Sequence, residues 1–316
     1  MRFNKHVRLT AVLSLVIAMP IFVVAESDDD KAGSVGFKFL NLQYGARGAA
    51  LGGLPAQASG AEASFWNPAG LASANGIEIT ANMTQWIVET NYLNAGVALP
   101  FAGGVVGLSI ISVDYGDIMK SGWSGETEFV FEPNQAAFEA SDAAIQFSYA
   151  KYLSEKFSIG GTVKMLTEKI DTETISGFAF DLGTQFNTGF QNIRLGAVIS
   201  NFGPDISPIR DNVPDISLPM TFMFGIIGQA FGDENMGLVA GVNVLKYADM
   251  VQRFAFSGEY TVAGMAKLRG SYTLGYDQAP LSVGAGVNMK GVTADIGITV
   301  MADFDMVTRI SFGYVF

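Results

Sequence analysis

The chain has 316 residues, of which 49% are apolar and 37 are glycine, with no cysteine, one histidine and a formal net charge of −11. The lack of cysteine excludes disulfides, thiolate metal sites and a lipid-modified cysteine anchor. The negative balance argues against nucleic acid, whose phosphates demand a basic stripe.

The first 25 residues read as a signal peptide. Arg2, Lys5 and Arg8 form a positive start, Leu9 to Val24 is apolar, and Val23-Val24-Ala25 offers small residues at the positions a signal peptidase reads. The apolar run is shorter than the ~20 residues of a spanning helix, and it contains Pro20 and meets the acidic stretch from Glu26 to Asp30 at once. This segment holds three of the 19 Lys and Arg, none of the 30 Asp and Glu, and the only histidine, His6. Cleavage after Ala25 leaves 16 basic and 30 acidic side chains, a formal charge of −14, and no His or Cys. A Ser-His-Asp or Cys-His nucleophile is then excluded, as is an imidazole metal site. We expect no enzyme and no cofactor.

Residues 26–76 form a leader rich in small side chains. It contains Gly45-Ala46-Arg47-Gly48-Ala49-Ala50-Leu51-Gly52-Gly53 and, further on, Phe65-Trp66-Asn67-Pro68-Ala69-Gly70-Leu71. Small residues let backbone pack against backbone, and Asn-Pro opens a tight turn. Such a segment fits as a plug inside a barrel lumen, where the buried cation Arg47 needs a carboxylate from Asp181, Glu259 or Asp295.

From residue 77 onward the hydrophobic period is two. Phe178, Phe180, Leu182 and Phe186 share one face, and Ala179, Asp181, Gly183 and Gln185 the other; Leu268, Tyr272 and Leu274 oppose Lys267, Arg269, Ser271 and Thr273. Fourteen strands are predicted at 77–88, 91–100, 104–113, 142–152, 156–168, 176–187, 192–202, 219–230, 237–246, 251–262, 264–275, 281–289, 292–301 and 307–316, each near the ~9–11 residues a tilted spanning strand needs. The fold class is therefore all-β: a transmembrane antiparallel β-barrel of about 14 strands over residues 77–316, with the N-terminal plug inside its lumen. A soluble sandwich is the bland alternative, but the small, Gly-rich polar face suits a lumen better than a solvated surface.

Eight charges fall on the predicted lumen face: Lys164, Arg194, Arg253, Glu259, Lys267, Arg269, Asp295 and Arg309. Pairing across neighbouring strands is expected to hold them, Glu259 with Lys267 or Arg269 and Asp295 with Arg309. Two long connections, Asp114 to Ser141 and Gly203 to Leu218, lie at the same end. Trp123, Phe129, Phe131, Pro208 and Pro214 in them are candidate partner-binding positions, and the acidic residues among them are candidates for a divalent cation or for plain solvation.

The last strand alternates Ile310, Phe312, Tyr314 and Phe316 with smaller residues and stops on an aromatic. Phe312, Tyr314 and Phe316 are read as the signal for the barrel assembly machinery of a Gram-negative outer membrane, which sets the location and makes membrane lipid and lipopolysaccharide the surroundings.

The pairing of Gly-Ala-Arg-x-Ala-x-Leu-Gly-Gly with Trp-Asn-Pro-Ala-Gly-Leu resembles the amino-terminal signature of the PorV/PorQ family, itself similar to the FadL family of long-chain fatty acid transporters. The first resemblance implies a type IX secretion component that binds or shuttles secreted cargo through its carboxy-terminal domain, beside a large translocon. The second implies an uptake channel for hydrophobic small molecules, with a gap in the wall governed by the plug. The short loops and charged lumen favour the secretion role over fatty acid transport; a simple diffusion porin requires that the leader leave the lumen open.

Overall fold

The computed structural model describes residues 32–120, 122–124, 128–130, 137–190, 192–207 and 214–316, with the side chains of residues 121–136 outside that description. The signal peptide, the start of the leader, Phe131 and Pro208 therefore lie outside the described residues.

Among the described residues sixteen strands follow in chain order: β1 (Glu78–Gln85), β2 (Asn91–Phe101), β3 (Gly104–Ile118), β4 (Gly122–Ser124), β5 (Glu128–Val130), β6 (Phe138–Ser154), β7 (Phe157–Ile170), β8 (Glu173–Asn187), β9 (Arg194–Phe202), β10 (Thr221–Gly232), β11 (Gly237–Tyr247), β12 (Arg253–Val262), β13 (Ala266–Leu274), β14 (Leu281–Met289), β15 (Val292–Val300) and β16 (Val307–Val315). All but β4 and β5 form one closed antiparallel barrel of fourteen strands, sealed where β1 pairs with β16 from Glu78↔Val315 to Gln85↔Thr308. Closure leaves no sheet edge, which lipid, offering no hydrogen bonds, requires.

The exposed face of this barrel is its greasy one. Phe178, Leu182, Leu268, Tyr272, Ile310 and Phe312 are exposed, whereas Asp181, Arg269, Arg309 and Ser311 are buried. A water-soluble sandwich has the opposite polarity, so this surface is a lipid-facing one. All eight charges assigned to the lumen face lie on the inward parity of their strands.

Strand positions agree with the sequence expectation to within a few residues except around the first long connection. There β3 runs on to Ile118 and β6 starts at Phe138, with a register shift between Asp114 and Asp117. Asp114, Asp117, Phe138 and Glu139 are thus strand residues, not loop residues. Trp123 and Phe129 are paired opposite each other in the β4–β5 hairpin, which stands apart from the barrel sheet. Pro214 is exposed in the connection before β10.

The leader threads the lumen from the loop end to the end where the barrel's termini meet. Gly36 N–H donates to the Ser217 carbonyl and Phe37 N–H to Glu168, both at the loop end. A 3-10 turn (Lys38–Asn41), a short helix (Ala46–Ala50), a further turn (Gly60–Glu62), a second helix (Ala63–Trp66) and a 3-10 turn (Pro68–Ser73) then fill the interior before β1 begins. Phe37, Phe39, Leu51, Leu54 and Leu71 are all buried at 3% exposure or less, so the protein's core is the plug, not the sheet.

Glycines on the wall make room for it. A Cβ on Gly196 would lie 2.0 Å from the Pro55 carbonyl oxygen, and one on Gly183 would lie 2.0 Å from Asn67 Oδ1. Gly161 faces lipid, and its Cβ would meet nothing nearer than the Asp181 carbonyl at 3.5 Å. Gly196→Val should therefore cost about 1–3 kcal/mol by overpacking and expose the leader to protease. Gly161→Val should change neither the temperature at which the folded band shifts on a gel nor the digestion pattern; equal behaviour of the two variants would contradict a plug seated on wall glycines.

Candidate functional site

The interior is the candidate site, and the plug divides it into two cups. At its centre Tyr44 stacks on Phe65 at 5.6 Å between centroids and meets Trp66 edge-on at 5.9 Å, while Trp66 Nε1 donates to the Tyr44 carbonyl at 3.1 Å. The space beside these rings amounts to about 30 Å³, room for a water and nothing larger. The plug thus narrows the lumen at these rings.

Side-chain amides on the wall hold the plug's backbone. Asn67 is fully buried; its Nδ2 donates to the carbonyls of Pro55 at 2.6 Å and Thr184 at 3.1 Å, and its Oδ1 accepts from Ala69 N–H at 3.1 Å. The last bond caps the turn that Pro68 begins, as Pro at the first position of such a turn favours. From the wall, Asn243 donates to the Gly53 and Leu51 carbonyls, Gln185 to the Ala58 carbonyl, and Ser311 Oγ accepts from Ala46 N–H. Gly45 and Gly52 adopt positive φ, and a Cβ on either would strike wall side chains; Gly70 packs on the Ala58 carbonyl. The motif residues singled out in the sequence are thus brought together in the lumen as structural contacts.

The cup at the terminal end, about 290 Å³, is lined by Arg47, Glu62, Glu78, Lys267, Arg269 and Asp295 among others. Arg47 Nη1 bonds Glu62 at 2.7 Å, and its Nε lies 3.5 Å from Glu259. Glu259 also receives Lys267 at 2.9 Å and Arg269 at 2.6 Å, and Arg269 reaches on to Asp295. Of the three carboxylates expected for Arg47, Glu259 is the one that meets it. Asp181 instead pairs with Lys164 at 2.9 Å. The nearest partner, Glu62, comes from the leader itself, fifteen residues away, and not from the wall. The expected Asp295–Arg309 pair is also absent: Arg269 holds Asp295, and Arg309 bonds Thr299 Oγ1 at 2.7 Å. Register explains this, since Arg309 lies opposite Gly297 on β15, with Asp295 two residues further along the strand toward the terminal end.

The cup at the loop end is different in kind. It measures about 210 Å³ and is lined by Trp86, Tyr247 and Tyr276 together with Lys38, Arg253 and Arg309. Lys38 pairs with Asp249. Arg253 lies over the Tyr276 ring, 3.6 Å from its centroid, and Arg309 stands 5.7 Å from the centre of Trp86. The sequence places both arginines on the lumen face but gives no sign that Trp86, Tyr247 and Tyr276 would gather around them.

Among solved structures the chain resembles the CymD monoaromatic hydrocarbon channel, with a TM-score of 0.59 and 13% identity over 87% of this chain and 98% of that one. It likewise resembles the Pseudomonas putida toluene transporter TodX, with a TM-score of 0.57 and 13% identity over 85% of this chain and 96% of that one. At such identity the likeness is one of fold. No protein-family model matches the chain, and no curated protein matches it.

Arg47→Ala would leave Glu62 without its cation and remove one of three from Glu259, at an expected cost of about 2 kcal/mol for partly buried charges. Asn67→Asp should cost more than Asn67→Ala, because a carboxylate in that position faces carbonyl oxygens with nothing to donate. The temperature at which the folded band is lost on a gel measures both, and an Arg47→Ala barrel of unchanged heat resistance would remove that residue from the set that secures the plug.

Proposed function

We propose that the protein is a non-enzymatic channel of an outer membrane that admits small, largely hydrophobic molecules, its plug closing the lumen at rest. What carries this reading is the combination of a lipid-facing fourteen-strand barrel and a lumen sealed at one aromatic constriction with a cup on either side. The likeness of fold to two hydrocarbon channels over more than four-fifths of the chain supports the same reading. With the barrel's termini on the inner side, the loop-end cup receives solute and the terminal-end cup releases it. The plug's wall contacts then set the resting state, and opening means exchanging some of them for water.

The secretion role implied by the leader motif has weaker support. The motif residues Gly45, Ala46, Arg47, Asn67 and Pro68 are used for packing inside the barrel, and none of them is displayed to a protein partner. Neither matched channel is described as a secretion component.

The deciding experiment is uptake of radiolabelled toluene and oleate by cells lacking their own hydrophobic-solute channels, with and without this protein in the outer membrane. Uptake should rise severalfold with the intact protein. No rise for either solute, together with recovery of secreted proteins by in-cell cross-linking through Trp123 or Pro214, would replace the channel reading with the secretion one.

A further inference from the structure

We propose that the loop-end cup is a binding site for a small aromatic carboxylate, with the carboxylate on Arg253 and Arg309 and the ring against Trp86 and Tyr276. The proposal deepens the channel reading, on which it rests, by naming the class of solute. Its basis is an imbalance of charge. In the terminal-end cup every cation has a carboxylate partner: Arg47, Lys267 and Arg269 stand among Glu62, Glu78, Glu259 and Asp295. Among the described residues no carboxylate lines the loop-end cup with Lys38, Arg253 and Arg309, and the one ion pair made by these three cations is that of Lys38 with Asp249.

Arg309 is the decisive group. It is 1% exposed, and among the described residues its one hydrogen-bond acceptor is the Thr299 hydroxyl and its Nε has no partner. Arg253 Nε is likewise buried and without a partner among the described residues; the guanidinium reaches the Met250 sulfur at 3.3 Å and the Tyr247 side chain, both uncharged. Burying a guanidinium without an opposing charge costs several kcal/mol, and a chain with this many carboxylates had ample means to supply one. A neutral hydrocarbon leaves that cost in place, whereas a carboxylate removes it through short charge-assisted bonds to the guanidinium edges. The Tyr276 ring covers the flat face of Arg253 and leaves those edges for the ligand. An aromatic body answers the remaining lining, and the cup is too small for a long acyl chain to lie within it.

The test is titration calorimetry of the purified full chain in detergent with benzoate, benzyl alcohol and acetate. Benzoate should bind one site at least about tenfold more tightly than either the neutral ring or the ringless anion, the margin expected of a charge-assisted contact with a guanidinium. Its affinity should fall with added salt. Arg253→Gln should lower benzoate affinity at least about tenfold and leave benzyl alcohol unaffected. Arg253→Lys, which keeps the charge but loses the fork, should fall between, and it serves as the folding control. Equal binding of benzoate and benzyl alcohol, equal binding of benzoate and acetate, or no binding at all would overturn the proposal. Toluene flux into liposomes made with the same protein separates the two readings: flux without benzoate preference sinks the anion site and spares the channel, and benzoate binding without flux of either solute does the reverse.

Discussion

The structure depends on one constraint: a stretch of irregular backbone has been placed where water does not freely reach, so each of its N–H and C=O groups needs a partner nearby. The wall meets that need with glycines, which let the leader approach to van der Waals distance, and with side-chain amides and hydroxyls, which bond it. Gly183 and Asn67 illustrate the coupling. The same close approach that forbids a Cβ on Gly183 brings Asn67 Nδ2 within reach of the Thr184 carbonyl of the next residue on β8. Each feature depends on the other, so the wall and the plug are fitted to one another at this point.

The charges follow from that arrangement. A narrow barrel turns half of each strand's side chains inward, and polar residues are placed there because the outward half must face lipid. Pairing then becomes obligatory at the terminal end, where Glu259 collects Arg47, Lys267 and Arg269 and so ties the leader to β12 and β13. Lys164, Asp181 and Asn201 form a second knot at the β8–β9 bulge. There Asp181 accepts from Asn201 N–H in place of a sheet bond, and Lys164 binds both side chains. The loop-end arginines belong to neither knot, and this sets their cup apart from the rest of the interior.

Much of the fold was legible because period-two alternation is a local property. The outward set Phe178, Phe180, Leu182 and Phe186 can be read from the short stretch 178–186, and the inward set follows from it. The pairing of charges was less legible, because the stagger between strands decides which inward residues meet. Asp295 and Arg309 sit on adjacent strands with the same parity, yet register puts Gly297 opposite Arg309. Glu62 shows a different limit: its role depends on the leader doubling back inside the lumen, a three-dimensional fact with no periodic trace. The clustering of Trp86, Tyr247 and Tyr276 is harder still, since they come from three separate parts of the barrel's loop end.

The two ends of the plug are held by different sets of bonds. Below the aromatic constriction, Arg47, Asn67, Asn243 and Ser311 supply charge-assisted or well-formed bonds at 2.6–3.2 Å. Above it, Gly36 N–H donates to the Ser217 carbonyl at 3.0 Å and Phe37 N–H to Glu168 at 3.2 Å, Phe37 and Phe39 are buried, and the Lys38–Asn41 turn adds a half-exposed lysine paired with Asp249, a 3.1 Å bond from Thr221 to Asn41 and a 3.5 Å contact from Asn201 to the Leu40 carbonyl. If each well-formed bond is worth about 1 kcal/mol net, withdrawing the whole plug is far costlier than lifting this turn and the Tyr44 ring that follows it. Tyr44 is bonded through its hydroxyl to the Leu40 carbonyl, so movement of the turn carries the ring with it and disturbs the stack on Phe65. That turn lies beside the cup that holds Arg253 and Arg309, so on the channel reading proposed above a molecule bound there would lie against this part of the plug.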